Sequence, residues 1–291
     1  MLHLSIVTAL WAFSFSLIGV YLAGQVDSWF AAMSRVLIAT LIFLPFIKVR
    51  QVPLQTALCL MLIGAIQIGA MYGFYYHSFL YLSVPEVLLF TVMTPVYIAL
   101  INDLMDKRFQ AHHILVALIA TLGAITIRYE QINEHFWTGL CLVQGANLCF
   151  ALGQVLYKRL IQHSSISQHS CFGFFFIGAL IITGAGFLLF GDSNKLPTNQ
   201  LQWGILLYLG LVASGLGYFL WNKGATLVSV GALAAMNNVL VPAGILVNLV
   251  IWGKDTNLTK LAIGSVIIFL ALYLDRYFEA KHSTSQAPKN N

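Results

Sequence analysis

The chain runs through ten stretches of almost unbroken apolar residues, at 4–23, 29–47, 55–80, 84–102, 112–129, 136–158, 171–190, 203–222, 230–252 and 260–278. Each approaches or exceeds the roughly 20 residues that a helix needs to cross a hydrocarbon core. None shows the strict alternation of a membrane β-barrel strand. The pattern predicts an all-α integral membrane protein with ten transmembrane helices. Short polar punctuation separates the stretches, as at Gln25-Val-Asp-Ser28, Asp192-Ser-Asn-Lys195 and Lys254-Asp-Thr-Asn257. The segment from Met1 has no basic leader and reads as the first span, not as a cleaved signal. The tail from about Lys281, rich in Ser, Gln, Pro and Asn, reads as disordered.

Composition agrees. Of 291 residues, 59% are hydrophobic and 9% charged, and the mean hydropathy is +0.83. Ten spans leave no room for a sizeable aqueous domain, which excludes a soluble enzyme, a nucleic-acid-binding protein and a secreted disulfide scaffold. Cys59, Cys141, Cys149 and Cys171 lie in apolar stretches without a C-x-x-C pair and read as small hydrophobes, so neither a metal site nor a cofactor is expected.

The net charge of +5 is mostly topological. With the amino terminus inside, the cytoplasmic face holds Lys48, Arg50, Lys107, Arg108, Lys158, Arg159, Lys223, Arg276, Lys281 and Lys289. The opposite face holds only Arg128, Lys195, Lys254 and Lys260. Cytoplasmic loops carry the Lys/Arg surplus, so both termini are expected on the cytoplasmic side.

A weak internal echo divides the chain. Gly73-Phe74, Leu82-Ser83-Val84 and Pro95 return as Gly217-Tyr218, Val228-Ser229-Val230 and Pro242. The echo predicts two five-helix repeats, 1–130 and 131–280, followed by the tail 281–291. Five is odd, so the second repeat enters the membrane from the other side, making the pair inverted repeats of the transporter type.

Polar side chains within spans point to the bundle interior or a watery cavity. The sixth span carries Gln144, Asn147 and Gln154 on one face, the eighth Tyr218, Trp221 and Asn222, and the ninth Asn237 and Asn238. Interhelical hydrogen bonding and substrate contact are both open to them. Arg35, about six residues into the second span and so about 9 Å deep, either snorkels or holds a substrate carboxylate. Trp11, Ser14 and Phe15 share a face of the first span, while Tyr72, Tyr75 and Tyr76 crowd the third. From these the candidate substrate set is Trp11, Ser14, Arg35, Tyr72, Tyr76, Gln144, Asn147, Trp221, Asn222, Asn237 and Asn238. His77, Glu86, Pro95 and Pro242 are candidates for coupling or gating. Glu86 equally fits a helix cap, His77 an interior hydrogen bond and the prolines simple kinks. Gly69 with Gly73, and Gly210, Ser214 and Gly217, form small faces suited to close helix packing.

Catalysis is not expected. Val212-Ala-Ser-Gly215 resembles a nucleophile turn, but only His282 follows it, and no paired aspartates or H-E-x-x-H occur in the spans. No repeated filter or ring of charge suggests a channel.

Trp11-Ala-Phe-Ser-Phe15, Arg35, Thr94-Pro95 and Val241-Pro242 resemble the EamA-type members of the drug/metabolite transporter superfamily. Longer runs are similar to the branch that imports biotin. They include Leu10-Trp-Ala-Phe-Ser-Phe-Ser16, Tyr21-Leu-Ala-Gly24, His135-Phe-Trp-Thr-Gly139, Tyr157-Lys-Arg-Leu160, Leu201-Gln-Trp-Gly-Ile205, Met236-Asn-Asn238 and Val241-Pro-Ala-Gly244. The likeness covers about residues 10–252. It implies a secondary transporter of ten helices that takes up biotin by alternating access, with export of amino acids or other small metabolites as the alternative. Its partners would be the small-molecule substrate and the lipid bilayer, with no nucleic acid; a homo-oligomer stays open. Biotin's carboxylate would meet Arg35, its ureido ring the Asn, Gln and Tyr groups, and its bicycle Trp11 or Trp221. The Gly-Glu pair of generic members is replaced by Met105-Asp-Lys-Arg108 and Gly253-Lys-Asp255.

Overall fold

The computed structural model describes residues 1–107, 134–162 and 164–253, with isolated helical positions between 115 and 126 and between 259 and 277. Among the described residues eight helices are long and apolar enough to cross a membrane. They are α1 (Leu2–Leu22), α2 (Ser28–Phe46), α3 (Leu54–Ser78), α4 (Val84–Met105), α5 (Glu134–Ile161), α6 (Gln168–Phe190), α7 (Gln200–Thr226) and α8 (Val230–Trp252). They correspond to the first four and to the sixth to ninth apolar stretches. Apart from the isolated helical positions, the stretches 112–129 and 260–278 lie outside the described residues, as does the tail from Lys281.

Local chemistry sets the helix starts. The Asp27 carboxylate accepts from Phe30 N at 2.8 Å, Asn199 from Gln202 N at 2.9 Å and Ser229 from Ala232 N at 3.1 Å. Each takes up one of the amide groups that a helix start leaves unpaired. Gly253, at φ +50°, closes α8 in a left-handed conformation that suits glycine. Asp27 also ties the two loops at its end of the bundle together, through Asp27 N to Lys195 O (2.7 Å) and Asp192 N to Asp27 Oδ2 (3.1 Å). At the other end Lys48 N reaches Ser170 O at 3.1 Å.

Packed neighbours trace a ring in the order α2, α6, α3, α5, α4, α8, α1, α7 and back to α2. α5 and the last turns of α7 also touch across it. The closest crossing joins α3 to α6: a Cβ added at Gly64 would strike the carbonyl of Phe175, and one added at Gly178 the carbonyl of Met61. The small faces noted in the sequence are packing surfaces too. Gly73 receives the Trp29 ring, Gly210 the Ile38 side chain and Gly217 the Trp11 indole.

α3 and α7 widen into π turns at Ala65–Ala70 and Leu209–Leu216, and α1 does so at Ile18–Leu22. α4 instead tightens to a 3-10 turn at Thr91–Met93, just before Pro95. Pro95 cannot supply the α-helical amide to the Thr91 carbonyl, which accepts instead from the Thr94 backbone N–H of the tight turn and from the Thr94 hydroxyl at 2.8 Å. Pro242 lies within an unbroken α8.

Candidate functional site

The ring surrounds a chamber lined by every described helix except α6. Its lining falls into three zones.

The first zone holds the charge. Arg35 on α2 is 3% exposed. Its Nε donates to Ser214 Oγ at 2.8 Å and its Nη1 to Tyr76 Oη at 3.0 Å. Tyr72 Oη and Ser214 Oγ share a hydrogen bond of 2.9 Å, and the guanidinium carbon lies 4.3 Å from the Tyr72 ring centre. An arginine has five N–H donors; those not on Ser214 and Tyr76 have no protein acceptor among the described residues. Nor does any described carboxylate pair with Arg35. The guanidinium is therefore a buried, permanent cation held in place by neutral groups and open to an anion.

The middle zone is apolar. Trp11, Phe15 and Ile18 of α1, Met71 of α3, Phe150 of α5 and Leu240 of α8 line it. The Trp11 indole donates to Ala213 O at 2.8 Å, in the wide turn of α7, and stacks with Trp221 at 4.9 Å and Tyr218 at 5.0 Å. Its N–H is thus engaged, and it presents ring carbon to the chamber.

The third zone, on α4, α5 and α8, carries Thr91, Thr94, Asn147 and Asn237. α4 stands opposite α2 in the order of packed helices around the ring. Asn147 Nδ2 donates to Phe90 O (2.9 Å) and Gln144 Oε1 (3.2 Å), and no described group donates to its Oδ1. Gln144 itself also accepts from Tyr97 Oη at 3.2 Å. Ser14, on α1, donates back to Leu10 O at 3.2 Å, and its oxygen still has acceptor capacity.

Of the substrate candidates, Trp11, Ser14, Arg35, Tyr72, Asn147 and Asn237 line the chamber. Tyr76 stands behind Arg35, and Gln144 behind Asn147. Trp221 is fully buried, its Nε1 on Gln154 Oε1 at 3.0 Å. Asn222 is fully buried as well and accepts from Gln67 Nε2 at 3.0 Å. Asn238 Oδ1 is buried and has no hydrogen-bond partner among the described residues. The coupling candidates lie away from the lining. His77 Nδ1 is 2.6 Å from Gly73 O, with its ring against Trp29. Glu86 is buried in a capping box, its Oε2 accepting from Ser83 N (2.8 Å) and Ser83 Oγ (2.7 Å).

The sequence reading missed Ser214 as a partner of Arg35, and it left Phe15, Tyr75, Thr91, Thr94, Phe150, Tyr218 and Leu240 out of the lining. A signal for several of them existed. Tyr72 and Tyr75, Thr91 and Thr94, Asn147 and Phe150, and Asn237 and Leu240 are each i, i+3 pairs on one helix face.

The chain matches the EamA-like transporter family over residues 1–129 and 137–275. It is 49% identical to a protein named biotin transporter in Escherichia coli K12, across 98% of this chain and 95% of that one. It is 51% identical to a probable biotin transporter of Pseudomonas aeruginosa, across 95% and 97%. The likeness thus extends past residues 10–252 in both directions. A solved crystal structure shares the fold at a TM-score of 0.65 and 16% identity, over 92% of this chain and 95% of the other. Together with the eight described spans, these relatives mark a multi-pass bacterial membrane protein.

Proposed function

The chain belongs to the EamA-like transporter family, and from that premise we propose that it is a secondary transporter that takes up biotin through the Arg35 chamber. The observation that carries this is a buried guanidinium with unused donors, sharing one chamber with an amide- and hydroxyl-bearing wall and an apolar middle. Biotin has the same order of groups: a carboxylate, an apolar chain and bicycle, and a ureido ring with two N–H donors and one acceptor. Its carboxylate sits on Arg35, its apolar body passes Trp11, Phe15 and Phe150, and its ureido N–H groups reach Asn147 Oδ1 and Ser14 Oγ. A charge-assisted pair with the buried Arg35 contributes about 1.5–3 kcal/mol, enough to select the anion.

Alternating access follows from ten spans in two inverted five-helix repeats, residues 1–130 and 131–280. Two separate segments match the family, 1–129 and 137–275. Exchanging α1–α4 with α5–α8 turns the ring order into its own reverse, as a two-fold axis in the membrane plane requires. The Lys/Arg distribution supports both termini on the cytoplasmic side of the inner membrane.

The test is uptake of radiolabelled biotin by a biotin-requiring bacterial host that lacks its own importer. Expression should raise uptake well above the empty-vector host. Uptake equal to that host, with the protein present in the membrane, refutes the proposal, and efflux of a preloaded amino acid would favour an exporter.

A further inference from the structure

A second cavity, of about 250 Å³, lies further along the same three helices as the amide wall of the chamber. It is lined by Ile98 and Asn102 of α4, Val155, Lys158 and Arg159 of α5, the neighbouring Gln162, and Val230 and Leu233 of α8. Successive turns relate the two spaces: Thr94 gives way to Ile98, Phe150 to Val155 and Asn237 to Leu233.

Between them stands a hydrogen-bonded septum. Gln154 Oε1 accepts from Trp221 Nε1 (3.0 Å) and from Asn237 Nδ2 (3.2 Å), and Gln154 Nε2 reaches Asn237 Oδ1 at 3.5 Å. All three side chains are buried. The septum is also where α5 meets α7 across the ring.

The second cavity is cationic in an unusual way. Lys158 is 8% exposed and has no described carboxylate partner; its ammonium donates to Ala225 O (2.9 Å) and Val228 O (2.6 Å). An ammonium has three N–H groups, and the third has no protein acceptor among the described residues. Arg159 uses only Nη2, on Asn102 and on Asp106 Oδ1 at 2.8 Å. Its Nε and Nη1 donors have no described acceptor either. Asp106 balances one charge of the two.

We propose that the Lys158/Arg159 cavity is a second, transient station for the carboxylate of the substrate, separated from the Arg35 chamber by the Gln154–Asn237–Trp221 septum. This rests on reading the chamber as a monocarboxylate site. Movement between stations requires the Gln154 amide to release Trp221 or Asn237, after which Lys158 and Arg159 supply the charge that Arg35 gives up.

The test uses the full chain in nanodiscs, with the four native cysteines replaced and Gln162→Cys added at an exposed position of the cavity rim. A neutral maleimide reports on Cys labelling with and without biotin. At a biotin concentration of ten times the station's Kd, labelling should slow by about ten-fold, following the factor 1 + [L]/Kd. Protection should be lost in Lys158→Gln or Arg159→Gln, return in Lys158→Arg, and survive in Arg35→Gln even as binding in the chamber weakens. Protection that is absent, or that vanishes with Arg35→Gln and survives Lys158→Gln, overturns the station. A Gln162→Cys chain that binds biotin without protection refutes the station alone, and one that binds no biotin refutes the chamber reading with it.

Discussion

Arg35 Nε donates to Ser214 Oγ at 2.8 Å, joining α2 to the wide turn of α7 across 179 residues of sequence. The serine also holds Tyr72, so one hydroxyl orients both the cation and the ring beneath it. On the proposed reading, a guanidinium held in this way is already positioned before the substrate carboxylate reaches it, so little ordering entropy opposes binding.

Ser214→Ala should therefore weaken biotin uptake without removing the charge. The loss of a buried, charge-assisted hydrogen bond amounts to about 1.5–3 kcal/mol, equivalent to an affinity fall of roughly ten-fold or more. Uptake kinetics at several biotin concentrations check this. An unchanged KM would mean that the hydroxyl serves packing alone.

Arg35→Lys keeps a cation but not a planar fork. Lysine cannot reach Ser214, Tyr76 and a carboxylate in one plane, so uptake should fall by about ten-fold or more at low biotin. Native-like uptake in this variant would show that a point charge suffices.

Helix packing gives a prediction independent of transport. At Gly178 an added Cβ meets the backbone of α3, which cannot swing away as a side chain would. Gly178→Ala should destabilise the fold by about 1–3 kcal/mol. Gly204→Ala, where nothing lies within 4 Å, should be neutral or stabilising by up to about 1 kcal/mol. Thermal aggregation of the purified variants separates the two, and equal midpoints would contradict the α3–α6 contact.

Glu86 Oε2 caps α4 by accepting from Ser83 N and Ser83 Oγ, and an amide oxygen can accept the same two bonds. Glu86→Gln should leave uptake within about two-fold of the parent, with the parent's response to a protonophore unchanged. Insensitivity in that variant would instead assign Glu86 to proton coupling.

The eight described spans were legible because hydrophobic length is a one-dimensional property; Leu54–Ser78 and Gln200–Thr226 lie within a few residues of the apolar stretches at 55–80 and 203–222. Arg35 was legible too, since a lone charge in a span demands an explanation wherever it points. Which polar group faces the chamber was not. Asn147 and Gln144 share a helix face and both donate to Phe90 O, yet only Asn147 lines the space while Gln144 braces it, a difference set by packing against α4 that the one-dimensional pattern does not carry. Ser214 was hidden for a related reason: its partner lies 179 residues away, and nothing in the local pattern of α7 announces it.

The most direct measurement of the central claim is calorimetric titration of the purified native chain and Arg35→Gln with biotin and with biotin amide. The native chain should bind the amide at least about ten-fold more weakly than biotin, and Arg35→Gln should bind both with the same reduced affinity. Equal native affinity for the two ligands, or full discrimination in the variant, would contradict the assignment of the carboxylate to Arg35.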